Sequence, residues 1–173
     1  ALSPEARLDL VEQLRLGTKA KPTRRVWIPK SNGEERPLGI PTIHDRALQA
    51  LAKAALEPEW EARFETNSYG FRPGRGCHDA IEAIFNHIRF KPKFVLDADI
   101  SKCFDKINHK ALLEKINSFP SLRRQISQWL KAGYMDGKEL FPTEEGTPQG
   151  GTISPLLANI ALHGLEELIT KRF

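Results

Sequence analysis

The chain of 173 residues carries 26 basic and 22 acidic side chains, for a formal net charge of +4, and 40% of its residues are hydrophobic. This composition is typical of a soluble globular protein with one core or two small subdomains. No apolar run approaches the roughly 20 residues of a membrane span, and no signal or transit pattern is visible at the N-terminus. We therefore expect a cytoplasmic protein with no membrane partner.

The basic residues are unevenly distributed. Between positions 15 and 30 the chain has six cations and no acid, namely Arg15, Lys19, Lys21, Arg24, Arg25 and Lys30. Such a basic segment is typical of a surface that binds a polyanion. A solvated basic loop with no partner is the alternative.

The ends and the cysteines give two further expectations. The chain starts at Ala1 without a methionine and stops at Phe173 within a helical pattern, which predicts a piece of a longer protein. Cys77 and Cys103 have no second cysteine or histidine at zinc-ligand spacing. We expect both to be reduced and to bind no structural zinc.

The N-terminal half predicts helices around one hairpin. Its elements are, in chain order, a helix over residues 3–16, a β-hairpin about Asn32-Gly33, a helix over residues 45–57 that Pro58 ends or kinks, a loop over residues 67–76, and an amphipathic helix carrying Ile81, Ile84, Phe85 and Ile88. The signals are the Ser-Pro helix start, the Asn-Gly turn, and apolar residues at i, i+3, i+4 and i+7.

The C-terminal half continues the mixed order. It predicts a strand over residues 94–100, a helix capped by Asn108, a helix carrying Leu122 to Leu130 that stops before Gly133, a hairpin at Asp136-Gly137, and a helix starting at Ser154-Pro155. Strands and helices do not alternate regularly, so we predict an α+β fold in which helices pack with short antiparallel strands.

Three aspartates in the stretch DADISKCFD, residues 97–105, mark a candidate site. In a strand over residues 94–100, Val95, Asp97 and Asp99 share one face because side chains alternate. Two carboxylates on one face repel each other unless a cation compensates, and oxygen ligands suit Mg²⁺. A capping or salt-bridged aspartate at a strand end is the alternative.

Two glycine-rich stretches could approach a ligand closely. In GTPQGG, Gly150 and Gly151 lack side chains, and Gln149 offers both a donor and an acceptor. The stretch is not a nucleotide-hydrolase phosphate loop because no Lys-Ser or Lys-Thr follows it. In FRPGRG, Arg72 and Arg75 could contact phosphates beside aromatic rings that stack on bases. The alternative for GTPQGG is a flexible loop, and the alternative for FRPGRG is an ordinary surface loop.

Four ordered blocks carry a family resemblance. Between residues 24 and 168 the chain resembles the reverse transcriptases encoded by group II introns, in the stretches RRVWIPKSNGEERPLGIPT, NSYGFRPGRGCHDA, DADISKCFD and GTPQGGTISP. The resemblance implies a right-hand polymerase fold. Residues 1–90 would form a fingers-like region, and residues 91–173 a partial palm truncated before the Asp-Asp turn.

The resemblance also implies roles for individual residues. Asp99 would be the catalytic carboxylate on a site for two Mg²⁺ ions, with the backbone carbonyl of Ile100 as a further ligand. Phe104 would be a steric gate that excludes a ribose 2′-hydroxyl, although a core phenylalanine is the alternative. The deoxynucleoside triphosphate would be bound by Lys30, Arg36, Phe104, Gln149 and Gly150, and nucleic acid by Arg24, Arg25, Arg72 and Arg75.

The implied function is RNA-directed DNA synthesis on an RNA template with a primer, with a possible maturase role in splicing of intron RNA. The sequence has no Asp-Asp pair, whereas the family carries an aromatic-Ala-Asp-Asp turn. The alternative is therefore a non-catalytic RNA-binding fragment or a degenerate remnant that lacks the full metal site. The oligomeric state is left open.

The hairpin imposes a geometric condition on the triphosphate grip. Lys30 and Arg36 share a sheet face only if the loop between the strands has an odd number of residues, and we predict a loop of three or five with the two residues directly paired. A two-residue Asn-Gly turn would place Lys30 opposite Glu35 and send Arg36 to the other face.

Overall fold

A small sheet and seven helices account for the regular structure of residues 2–172, which the computed structural model describes. The helices are α1 (Pro4–Gln13), α2 (Ile43–Glu61), α3 (Cys77–Ile88), α4 (His109–Ile116), α5 (Pro120–Leu130), α6 (Ser154–Leu162) and α7 (Leu165–Arg172). The strands are β1 (Thr23–Pro29), β2 (Glu35–Ile40), β3 (Tyr134–Asp136) and β4 (Glu139–Phe141). The predicted α+β class is confirmed at this level. Within residues 2–172, no helix is long and apolar enough to span a membrane.

Polar side chains cap three of the helices. Ser3 Oγ accepts a hydrogen bond from the Ala6 amide, and Thr42 Oγ1 accepts one from the Asp45 amide. Asn108 Oδ1 accepts one from the Ala111 amide at 2.9 Å, which confirms the predicted cap of α4. Each bond satisfies an amide that has no partner within its own helix.

Pro58 was predicted to end or to kink α2, and the first of these alternatives is wrong. The helix runs from Ile43 to Glu61 and contains Pro58 in its last turn. A proline there removes one backbone hydrogen bond near the helix end. Leu56 and Trp60, which flank it, are 3% and 2% exposed, and this burial holds the last turn in place.

The strands form one sheet in the order β2-β1-β3-β4. The two sequence-adjacent pairs, β1 with β2 and β3 with β4, are antiparallel hairpins as predicted. The central pair of β1 and β3 is parallel, with Thr23 opposite Tyr134, which corrects the expectation of antiparallel strands alone. This parallel pair attaches the first hairpin to the second half of the chain.

The first hairpin has the odd register that was predicted. Ile28 lies opposite Arg36 and Pro29 opposite Glu35, and the Lys30 amide donates to the Glu34 carbonyl at 2.7 Å. The loop therefore contains three residues, 31–33. The prediction that Lys30 pairs directly with Arg36 is wrong, because Lys30 lies opposite Glu34. The two cations still share a sheet face, as diagonal neighbours.

The hydrophobic core lies among the helices rather than beneath the sheet. Helices α2, α4, α5 and α6 each contribute an apolar face, and their most buried members are Leu48, Leu56, Trp60, Leu112, Ile116, Leu122, Ile126, Leu130, Leu157 and Ile160. These side chains remove most of the apolar surface from water and fix the positions from which the loops project.

The predicted strand over residues 94–100 is not formed. The segment has no regular secondary structure and joins no sheet, and its side chains are exposed, with Phe94, Val95 and Leu96 each more than 70% accessible. A strand needs a neighbour to satisfy its amide and carbonyl groups. None of the four strands in residues 2–172 lies beside this segment. The proposed common face of Val95, Asp97 and Asp99 is therefore absent here.

Helix α3 forms as predicted, and its apolar stripe is exposed. Ile81, Ile84, Phe85 and Ile88 are 45–62% accessible. Part of this stripe borders a groove whose other wall includes Phe94 and Val95.

Asp45 joins three parts of the structure at the start of α2. Its Oδ1 accepts a hydrogen bond from Trp129 Nε1 in α5 at 3.2 Å, and its Oδ2 accepts from Thr42 Oγ1 and from the Lys21 amide. Asp45 and Trp129 are 4% and 5% exposed. The carboxylate therefore ties the end of the basic segment to α2 and α5.

We predict that Asp45→Ala lowers the free energy of unfolding by about 1–3 kcal/mol, because it leaves the buried indole N–H of Trp129 without an acceptor. Urea denaturation followed by tryptophan fluorescence measures the change. Asp45→Asn retains a carbonyl oxygen for Trp129 and should lose less. Equal stability of the wild type and Asp45→Ala would contradict this role.

Candidate active site

The site is built around the loop that joins β4 to α6, residues 142–153. Its first half is fixed to the segment that follows DADIS. The Gly146 amide donates to the Ile107 carbonyl at 2.8 Å, and the Thr147 amide donates to the Phe104 carbonyl at 2.7 Å. His109 Nε2 donates to the Gly146 carbonyl at 2.6 Å. Both backbone groups of Gly146 are thus bonded to residues 104–109.

Gly146 itself is required by this contact. Its φ angle is +84°, and a Cβ atom at this position would lie 2.8 Å from the carbonyl oxygens of Phe104 and Asp105. Only glycine adopts this conformation without strain and leaves room for those oxygens. The loop and residues 104–105 can therefore approach one another backbone to backbone.

The second half of the loop meets the β1–β2 hairpin. The Gly39 amide donates to the Gln149 carbonyl at 2.7 Å, and Arg36 Nε donates to Gln149 Oε1 at 2.8 Å. Gly150 has φ of +113°, and a Cβ there would lie 3.1 Å from the Gly39 carbonyl oxygen. Arg36, Gln149 and Gly150, which the sequence predicted to act together, are therefore brought together.

Helix α2 supports the same loop from a third side. Gln49 Oε1 accepts a hydrogen bond from the Thr152 amide at 2.9 Å, and Gln49 is 2% exposed. Thr147 Oγ1 donates to Ser154 Oγ at 2.9 Å inside the protein. The ends of the Gln149 segment are thus held by buried polar contacts, while Gln149 itself is half-buried.

Lys30 lies at the exposed tip of the hairpin. Its Nζ forms an ion pair with Glu34 Oε2 at 2.7 Å, and hydrogen bonds from Lys30 and Asn32 hold the pKa of the Glu34 carboxyl below its ordinary value. Exposed pairs of this kind contribute little to stability. An incoming anion with several charges can therefore compete for Lys30.

Phe104 is half-buried and lies against the core. Phe71 packs edge-on against it, with ring centroids 6.1 Å apart and an interplanar angle of 83°. Its carbonyl accepts from Thr147 N, two residues before Gln149. The ring is thus fixed on one side by Phe71 and remains partly accessible on the other.

Asp99 is exposed in the extended segment before the 3₁₀ helix Cys103–Asp105. Burial raises the pKa of the Cys103 thiol, and the nearby carboxylates of Asp105 and Asp99 raise it further. The negative charges of Asp99 and Asp105 are therefore both felt at the Cys103 thiol. Lys102 has φ of +52° and helps to bend the chain there.

We tested this donor set against Mg²⁺. The Asp99 carboxylate and the Ile100 carbonyl are hard oxygen donors of the type that Mg²⁺ prefers. Residues 2–172 contain no group of three or more His, Cys, Asp or Glu side chains arranged around a common point. The described chain thus offers donors that fit one part of a Mg²⁺ site.

Arg24 and Arg25 leave the sheet on opposite faces. Arg24 is exposed. The Arg25 guanidinium lies 3.6 Å from the Tyr134 ring centroid, and that ring stacks on Phe141 at 5.2 Å. Arg25 also lines a cavity together with Gln149 and Asp105. Stacking on Tyr134 therefore fixes the Arg25 charge beside the loop.

The two arginines of FRPGRG have different environments. The Arg72 side chain is 2% exposed and forms an ion pair with Glu61 at 2.8 Å, and its other donors bond the carbonyls of Glu65 and Ser68. Arg75 is half-buried and donates to the Thr66 carbonyl at 2.5 Å. The hydrogen bonds of Arg72 thus all go to groups within the protein and stabilise the loop, whereas the Arg75 side chain is partly exposed to solvent.

The sequence reasoning missed three supporting residues. Gly39 fits between Thr23 and Pro148, where a Cβ atom would lie 2.8 Å from Thr23 Oγ1. His109 and Gln49 hold the loop from outside it. Only Gly39 has a local signal, since an isolated glycine within a strand pattern indicates close backbone approach. The other two contacts join distant parts of the chain.

Comparison with known proteins decides the family. Residues 28–173 match the family described as Reverse transcriptase (RNA-dependent DNA polymerase), which is most of the chain. The chain belongs to this reverse transcriptase family. Its predicted resemblance to group II intron proteins is confirmed by the relatives described next.

Three relatives illustrate the similarity. Protein YkfC of Escherichia coli (strain K12) is 41% identical over 165 residues, covering 88% of this chain and 42% of that protein. The group II intron-encoded protein LtrA of Lactococcus lactis subsp. cremoris is 41% identical over 172 residues, covering 96% of this chain and 28% of LtrA. A 91 kDa protein in the cob intron of Schizosaccharomyces pombe is 36% identical over 170 residues. The chain thus spans less than half the length of each of these relatives.

We predict that Gly146→Ala destabilises the protein by about 2 kcal/mol or more, because it adds a strained φ angle to a clash with two carbonyl oxygens. Gly137→Ala is the matched control. Its φ is +60°, and no atom lies within 4 Å of the added Cβ. Thermal unfolding of both variants measures the difference, and equal losses would contradict the backbone contact described for Gly146.

Proposed function

We propose that this chain forms the fingers, residues 1–90, and part of the palm, residues 91–173, of an RNA-directed DNA polymerase of the group II intron kind. One observation carries the proposal. Arg36 of the hairpin and Gln149 of the loop are joined side chain to side chain at 2.8 Å, and the same loop is bonded to Phe104. Arg36 and Gln149, which are 113 positions apart, thus form one surface with the loop that is bonded to Phe104.

The proposed substrate is a deoxynucleoside triphosphate. Arg36 and Lys30 lie on one face of the hairpin and would bind its phosphates through charge-assisted hydrogen bonds. Lys30 would exchange Glu34 for the triphosphate, which carries more charge. Gln149 would contact the nucleotide next to Arg36, and Gly150 would contribute its backbone, which lies against the Gly39 carbonyl.

Phe104 would set the preference for deoxynucleotides. Its ring is held on one side by Phe71 and cannot easily withdraw. A rigid ring beneath the sugar would clash with a ribose 2′-hydroxyl and leave a deoxyribose unaffected.

The Asp99 carboxylate and the Ile100 carbonyl would hold Mg²⁺. When bound in pairs, such ions activate the primer hydroxyl and stabilise the charge on the triphosphate. In the proposed reaction the primer 3′-oxygen bonds to the α-phosphorus, the bond from that phosphorus to the bridging oxygen breaks, and pyrophosphate leaves. Arg36 and Lys30 would stabilise the negative charge that builds on the leaving phosphates.

The proposed partners are an RNA template with its primer, or intron RNA during splicing. The similarity to LtrA, whose name describes a group II intron-encoded protein, supports this proposal. Arg24, Arg25 and Arg75 would contact the phosphate backbone. Arg72 would contribute by holding the loop that presents Arg75, because its own donors are occupied. We place this activity in the cytoplasm.

We predict that Asp99→Asn in the full-length protein lowers primer extension on an RNA template by about 100-fold or more, because the amide is a poorer metal ligand. Asp97→Asn removes a carboxylate two residues away and is the matched control, expected to retain most activity. Undiminished synthesis by Asp99→Asn would reject its role. RNA binding without extension by the wild type would favour a non-catalytic RNA-binding protein instead.

A further inference from the structure

A second concave surface lies on the other side of the loop from the proposed nucleotide site. It is formed where the N-terminus of α4 meets α5, and its charged members are Lys110, Arg123, Lys131 and Glu144. Glu144 faces this surface, whereas Glu145, Gly146 and Thr147 line the cavity that contains Arg25 and Gln149. The 144–147 backbone therefore separates two different sites.

The charges of this surface are not neutralised within the protein. All four charged side chains are on exposed residues. None of them takes part in an ion pair within residues 2–172, whereas the neighbouring Lys106 and Glu145 pair with each other at 2.5 Å. Three unpaired cations around one concavity repel each other unless an anion is bound.

A buried polar group adds an independent observation. His109 lines the same concavity and is 6% exposed. Its Nε2 bonds the Gly146 carbonyl, while its Nδ1 is buried and has no hydrogen-bond partner among the described residues. Because Nε2 donates, Nδ1 of the neutral ring is an acceptor, and its complement is a donor such as a ribose 2′-hydroxyl rather than a phosphate oxygen.

The dimensions and chemistry indicate which anion fits. Arg123 and Lys131 are eight residues apart on or next to α5, which separates their Cα atoms by about 12 Å along the helix. This distance suits a chain of phosphates better than one isolated anion. Leu113 is the only apolar residue among those that line this surface, and the charged side chains outnumber it.

We propose that this α4–α5 surface binds the phosphate backbone of RNA, separately from the nucleotide site. Lys110, Arg123 and Lys131 provide the phosphate contacts, and Glu144 lowers the affinity by repulsion. The proposal does not depend on polymerisation, because none of these side chains belongs to the proposed catalytic or nucleotide-binding set. His109 connects the surface to the Gly146 carbonyl and hence to the loop that carries Gln149.

The test uses the full-length protein and a fluorescein-labelled single-stranded RNA without a primer. Anisotropy titrations at several salt concentrations give the slope of log K against log salt. For single strands each phosphate contact contributes about 0.7 to this slope. The triple variant Lys110→Gln, Arg123→Gln, Lys131→Gln should therefore reduce the magnitude of the slope by about 2.

The matched control removes three cations that already pair with an acid four residues away in the chain. Lys53, Arg63 and Lys171 form such pairs with Glu57, Glu59 and Glu167. Their triple substitution by glutamine should leave the salt slope close to that of the wild type. An unchanged slope in the α4–α5 variant, or an equal loss in the control, would overturn the proposal.

A gain of affinity excludes misfolding as the explanation. Glu144→Gln should bind the same RNA more tightly than the wild type, because it removes the one negative charge on the surface, which repels the RNA phosphates. Equal or weaker binding would count against the site. Primer extension on a preformed primer-template, measured in parallel, tests the proposed function separately. Normal RNA binding without primer extension would contradict the proposed function alone. Primer extension with RNA binding that does not depend on the α4–α5 cations would contradict the α4–α5 site alone.

Discussion

The backbone contact between Gly146 and residues 104–109 is the constraint on which the rest of the site depends. Both the amide and the carbonyl of Gly146 are hydrogen-bonded there, and its positive φ leaves no room for a side chain. Because Phe104 and Gln149 lie on the two segments that this contact joins, backbone geometry restricts their separation. The proposed nucleotide surface would thereby be largely formed before any ligand arrives, which lowers the entropic cost of binding.

The sheet and the core extend this constraint to the β1–β2 hairpin. The parallel pair of β1 and β3 attaches the hairpin to the segment that follows α5, and the Gly39 amide attaches it to Gln149. The helical core holds α2, whose Gln49 bonds the end of the same loop. Three segments distant in sequence therefore meet at one loop. On its outer side the same loop borders the α4–α5 surface, so that RNA bound there would lie next to the residues that position Gln149.

Local signals in the sequence predicted the elements well where those elements are self-sufficient. The Asn108 cap, the two hairpins and the stripe of α3 depend on neighbouring residues and are found. Pro58 was misread because the burial of Trp60 outweighs the break signal. The strand over residues 94–100 was predicted from its apolar alternation, but a strand also needs a partner, and no pattern within the segment states whether one is adjacent.

The candidate site was also predictable only where a local sequence motif identifies its residues. The resemblance predicted roles for Arg36, Gln149 and Phe104 in one site, and in the structure Arg36 contacts Gln149 while the Phe104 carbonyl is bonded to the same loop. The resemblance did not identify the contacts of His109 and Gln49 or the ion pair between Arg72 and Glu61. Those contacts arise between segments with no common local pattern. Likewise, the unpaired cations of α4 and α5 are unremarkable in sequence and become a common surface only when the two helices pack together.

We propose that Arg36 and Gln149 form one nucleotide-binding unit. The decisive measurement is a double-mutant cycle with Arg36→Ala, Gln149→Ala and the double variant, read as kcat/KM for a deoxynucleoside triphosphate in primer extension. We expect the effects of the two substitutions not to be additive, with a coupling energy of about 0.5–3 kcal/mol. Fully additive effects would show that the two side chains act independently and would contradict it.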